Sequence, residues 1–187
     1  MSLLAVQGGV TGTGTVTLLA PVTNTDRTLT LPDVTGTVAV QGGAGVGKVL
    51  QVVQGTYSSA TSSASGTFVD TGLTATITPS SASNKILVIV QQAGCGKDTN
   101  NITLQLQLVR DSTALFEFES SGGYTGSSAT NFFGTCGCSY LDSPVTASPV
   151  TYKTQMSAFS GSATVFTQYN IGSGSPTSTI TLLEIAA

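Results

Sequence analysis

From Lys48 onward, apolar and polar positions alternate in short runs separated by turn residues, the pattern of half-buried strands. Ile102, Leu104, Leu106 and Leu108 alternate with Thr103, Gln105 and Gln107, and Leu73, Ala75 and Ile77 with Thr74, Thr76 and Thr78. The pattern predicts strands over 48–54, 67–78, 85–91, 102–109, 132–141, 152–158, 163–169 and 179–185. Arg110-Asp111-Ser112-Thr113 reads as a hairpin loop, and its return strand turns Phe116 and Phe118 inward and Glu117 and Glu119 outward. Pro79–Asn84 and Asp142-Ser143-Pro144 are turn signals. Two runs depart from alternation. Ile86-Leu87-Val88-Ile89-Val90 is apolar throughout, which predicts a strand covered on both faces. The run Ile180–Ile185 is nearly so, which predicts a central place in a sheet or at a subunit interface.

Residues 1–46 carry shorter pieces: Gly12–Pro21, Arg27–Asp33 and Thr35–Val40, each closed by a turn signal. Strands this short bury little by themselves and need a partner surface, either another copy or a different protein. Gly42–Gly47 reads as a hinge. The expected organisation is an N-terminal anchor or stem over 1–46 and a C-terminal β-sandwich knob over 47–187. The spacing of the knob's strands is that of an antiparallel sandwich or jelly roll. No helical period or heptad appears, so no coiled coil is expected to hold an oligomer together.

Composition supports this reading. Ser and Thr supply 54 of 187 residues and Gly 22, whereas Lys and Arg supply 6 and Asp and Glu 9. Thr and Val favour extended backbone, and Gly, Ser, Asn and Asp favour turns. A chain that is 40% hydrophobic with a formal charge of -3 does not match the composition of disordered proteins. Six scattered basic residues make no footprint for nucleic acid. Met1–Val6 lacks a basic start and is too short for a secretory core, and no apolar run is long enough to span a membrane, so cytoplasmic synthesis without secretion or membrane insertion is expected.

Candidate chemistry is sparse. With no His in the chain, a Ser-His or Cys-His nucleophile is excluded. Cys95, Cys136 and Cys138 are too few for a four-ligand zinc site and read as small buried thiols, not as a disulfide framework. Gly42–Lys48 matches most of a phosphate-binding loop, but Val49 replaces the magnesium-binding hydroxyl and a strand follows, so a hinge is the better reading. Glu117 and Glu119 share one strand face and do not oppose each other across a substrate, which argues against glycoside hydrolysis. No catalytic, cofactor or metal site is expected. The loop Ser120–Asn131, with Tyr124 and Asn131, either contacts a receptor or packs against a neighbour.

A resemblance sharpens these expectations. Gly14-Thr15-Val16-Thr17-Leu18, Asn24–Asp33 and Thr35–Ala39 resemble a segment found in many phage tail-fibre and virion-associated proteins. Gly47–Val53, Thr67–Leu73, Ser83–Val88, Tyr140–Pro144 and Ser178–Ile185, in that order, resemble the C-terminal domains of phage fibre-like proteins. The resemblance implies a bacteriophage virion protein, a homotrimer made in the host cytoplasm. Its N-terminal segment would bind other tail or capsid proteins. Its knob, jelly-roll-like in the manner of tumour-necrosis-factor and complement domains, would contact a host surface glycan or protein. The alternative it allows is a capsid decoration or head-fibre protein that binds and stabilises the capsid.

Overall fold

The computed structural model describes residues 48–127, 131–159, 163–172 and 174–187. The anchor expected over 1–46 and the glycine-rich hinge before Lys48 lie outside these residues. Ten strands occur among them: β1 (Val49–Tyr57), β2 (Thr61–Ser63), β3 (Val69–Ile77), β4 (Lys85–Lys97), β5 (Leu104–Arg110), β6 (Thr113–Gly122), β7 (Asn131–Asp142), β8 (Val150–Ala158), β9 (Val165–Thr167) and β10 (Ser178–Ile185). All pair antiparallel in two sheets, and no helix occurs among the described residues.

In the first sheet β4 is the hub. Its first half lies between β10 and β7, its last residues pair with β9, and β1 flanks β10. The second sheet runs β3-β8-β5-β6. The alternation along each strand puts the apolar set between the sheets. Leu73 and Ile77 of β3, Ile86, Val88 and Val90 of β4, Leu108 of β5, Tyr152 of β8, and Ile180 and Leu182 of β10 form one buried cluster. Cys95, Ile102, Leu104, Leu106, Met156 and Val165 form a second. Each such Leu, Ile or Val contributes roughly 1.5–3 kcal/mol on full burial.

Polar groups also cross between the layers. Leu73 N donates to Thr71 Oγ1 at 3.3 Å, and Thr71 Oγ1 lies 2.5 Å from Thr154 Oγ1. Thr154 Oγ1 donates to Gln92 Oε1 at 2.8 Å, so its single proton is committed and Thr71 is the donor in their contact. Gln92 Nε2 then donates to Ser178 Oγ at 3.3 Å. This buried relay ties β3 and β8 to β4 and β10. Nearer Lys48, Arg110 of β5 grips Asp142 of β7 through both carboxylate oxygens, at 3.0 and 2.8 Å, while Tyr152 Oη donates to the same carboxylate at 2.7 Å.

Three expectations change. First, Ile86–Val90 is covered on one face only: Ile86, Val88 and Val90 point into the core, Leu87 is half-buried, and Ile89 is 38% exposed. The strand also runs seven residues further than its apolar run, because bulges near Gln92 and Cys95 re-aim it toward β9. Second, Glu117 and Glu119 do not share a face. Irregular register in the β5–β6 pair sets Glu117 opposite Gln107 and Glu119 opposite buried Leu106, within 3.8 Å of Cys136 Sγ. Third, the strand expected over 163–169 shortens to Val165–Thr167, paired with β2, a strand the pattern did not signal.

Candidate functional site

The strand ends define two ends of the domain. Val49, Ile77, Ile86, Arg110, Asp142, Val150 and Ile185 gather at the end where Lys48 enters. Lys97, Leu104, Gly122, Asn131, Ala158 and Val165 gather at the other. A depression of about 350 Å³ opens at that far end, lined by Thr103, Ser120, Ser121, Tyr124 and Phe159. Tyr124 is 60% exposed and Phe159 58%.

The floor is built by strand ends. Phe159 N, just past β8, donates to Thr103 O at 3.1 Å, and Thr103 Oγ1 donates to Ser120 O at 3.2 Å. Tyr124 stands on a tied loop. Its Oη donates to Asn101 Oδ1 at 3.2 Å, its N donates to Ser121 O at 3.3 Å, and Asn101 N donates to Thr125 O at 2.9 Å. Asn101 takes the left-handed φ of 54° that this reciprocal contact requires, a conformation Asn tolerates better than most residues. Lys97 Nζ, from the buried end of β4, donates to Thr99 O at 2.7 Å and to Thr125 Oγ1, linking the two loops from below.

Asn131 opens β7 and does not line the depression. Its Nδ2 donates to Gly123 O at 3.1 Å. Gly123 turns there with φ of 72°, where a Cβ would meet the Phe133 ring at 2.6 Å. The structure thus places the two residues singled out in the sequence differently, Tyr124 at the rim and Asn131 as a brace for the loop that carries it. Phe159 was missed. Its signal was a bulky ring directly after a strand's last inward residue and before Ser160-Gly161-Ser162, where nothing in the pattern supplies a covering partner.

A second surface lies on the outward side of the first sheet. Val52, Leu183, Leu87 and Leu141 stand opposite one another across β1, β10, β4 and β7, so they share one side of the sheet and form a single apolar row. Val52 is 59% exposed and Leu141 50%. The next two rows, Gln54-Thr181-Ile89-Ser139 and Thr56-Thr179-Gln91-Gly137, carry no charge. Beyond them Phe132 and Phe166 flank Gly96, with ring centroids 6.0 Å apart, and Tyr169 stacks on Phe132 at 5.2 Å. A Cβ on Gly96 would meet the Phe132 ring at 2.5 Å, so glycine makes this aromatic group possible.

Among the described residues no three His, Cys, Asp or Glu side chains converge as a metal cluster, and no helix is long and apolar enough to cross a membrane. Cys95 and Cys136 are buried free thiols, and burial pushes the Cys138 thiol up to about 11. No protein-family model matches this chain, and no curated protein matches it.

Proposed function

We propose that this chain is a structural protein of a bacteriophage particle, a non-catalytic homotrimeric fibre whose domain over 47–187 is a jelly-roll-like knob that contacts the host surface. The observation that carries the reading is the apolar row from Val52 to Leu141 on the outward side of the β1-β10-β4-β7 layer, continued by two rows without charge and bordered at its Lys48 end by exposed Lys85. Contiguous apolar surface on a single copy marks an interaction site. The amide and hydroxyl rows beside it suit contact between copies, because they pair without stranding a charge. Two further points support a knob of the tumour-necrosis-factor and complement type. The first and last described strands, β1 and β10, lie side by side in one sheet, and the two antiparallel sheets enclose one apolar interior, features compatible with a roll of that kind. The exposed aromatics of the far-end depression sit at the end of the domain opposite Lys48, which favours a contact tip over a surface spent on a capsid.

Two measurements test this. Sedimentation of the full chain should give three times its mass of 18.8 kDa, and a monomer at micromolar concentration would sink the trimer. Gold-labelled antibody against the chain should decorate phage tails in electron micrographs. Label on capsid facets would establish the decoration alternative, and label on neither would refute the virion assignment.

A further inference from the structure

The far-end depression has the chemistry of a saccharide site, and we infer that it binds a neutral pyranose unit of a cell-surface polysaccharide. This rests on the proposal that the knob meets the host surface. Two rings with more than half their area in water flank three hydroxyl-bearing residues. A pyranose offers a matching pair of surfaces, a C–H face that packs on an aromatic ring and a rim of hydroxyls that seek hydrogen bonds. Ser120 and Ser121 supply hydroxyls that are not engaged among the described residues, which leaves them available to a ligand.

Charge selects the ligand class. Among the described residues no charged side chain lines the depression. Glu119 accepts from the N of lining residue Ser121 at 2.9 Å, so a carboxylate borders the depression and would repel a sialic or uronic acid. The volume of about 350 Å³ lies at the small end for ligand sites, which suits one or two sugar rings and is too small to seat a folded protein partner. Preorganisation favours binding. The Tyr124 hydroxyl is tethered to Asn101, so little rotamer freedom remains to be lost when a sugar packs on the ring. Access is also preserved on assembly. The depression is built by the ends of β5, β6 and β8, in the sheet opposite the apolar row, so the proposed contact between copies leaves it open.

The test uses the full-length chain on an array of neutral gluco-, galacto- and manno-oligosaccharides beside sialylated and uronate-containing ones. Binding to one or more neutral members is expected. Tyr124→Ala and Phe159→Ala should each weaken that binding on the order of tenfold or more, while Tyr124→Phe keeps the ring and most of the affinity. Unchanged circular-dichroism melting establishes that the alanine variants remain folded. Absence of neutral binders, equal binding of anionic members, or a folded Tyr124→Ala/Phe159→Ala double variant with full affinity would overturn the site. Label on phage particles without saccharide binding would overturn the site alone. Neutral saccharide binding by a chain absent from particles would uphold the site and overturn the virion reading.

Discussion

Glu184 is an inward carboxylate with no cation paired to it among the described residues. Burial opposes its charge, but donors from Asn84 Nδ2 at 2.6 Å, Gln51 Nε2 at 2.6 Å, and Ser80 N and Oγ at 2.7 and 2.8 Å overcome that penalty and hold its pKa down at about 2. The folded value lies below the ordinary 4.5, so the ion's contribution to stability is present above the unfolded value and is lost as pH falls toward the folded one. The melting temperature should therefore fall between pH 4.5 and about 2, and Glu184→Gln should flatten that slope; an unchanged slope in the variant would refute the assignment. Thr154 makes a second case. Replacing it with Val removes the donor to Gln92 and the acceptor for Thr71 inside a closed core. The expected loss is about 1–3 kcal/mol, read as a lower denaturation midpoint. Neither role was legible in the sequence. The alternation could place both residues on a strand face but not name their partners, because partners some 60 to 130 residues away leave no local signature.

The strands themselves were largely legible, since a period of two survives wherever one face is buried and the other wet. Legibility failed where that premise failed. In β4 an unbroken apolar run implied two covered faces, whereas a single copy covers only Ile86, Val88 and Val90. In β6 the irregular register shifted Glu119 toward β7, and no residue pattern announces a bulge of that kind. The Tyr124 loop could be recognised, but its depression could not, because Phe159 and Thr103 come from other strand ends and only the topology brings them together. The two faces of β4 and β7 allow a sharp comparison. Val88→Asp buries a charge without a partner and should abolish folding, seen as loss of the β-type circular-dichroism spectrum. Leu141→Asp alters the apolar row only, so it should preserve that spectrum while sedimenting as a single copy. Trimers formed by Leu141→Asp would move the subunit interface elsewhere.

At the scale of the molecule, the two functions proposed occupy separate surfaces. Contact between copies falls on the outward side of one sheet, and recognition falls on the far-end loops of the other. Substitutions at Tyr124 or Phe159 should then leave the sedimentation coefficient unchanged while removing saccharide binding. The Arg110–Asp142–Tyr152 tie sits at the Lys48 end of the domain, away from the depression, and secures the two layers there. The Arg110 guanidinium is held charged by Asp142, and Tyr152 is held protonated by burial and the same carboxylate, so both donors of this tie keep their protons through the neutral range.

The position of β10 bears on how this chain folds as it is made. It pairs with both β1 and β4, so the interior of the first sheet waits for residues that the ribosome adds after the nine other described strands. Pairings this remote along the chain form slowly. The apolar row is also incomplete until Leu183 arrives, so nascent copies on neighbouring ribosomes lack the finished surface through which they would associate. Removing residues 178–187 should leave a chain that is synthesised but never becomes resistant to protease. Stalling translation before Ser178 should trap the same sensitive state, so the timing of assembly follows from where one strand sits.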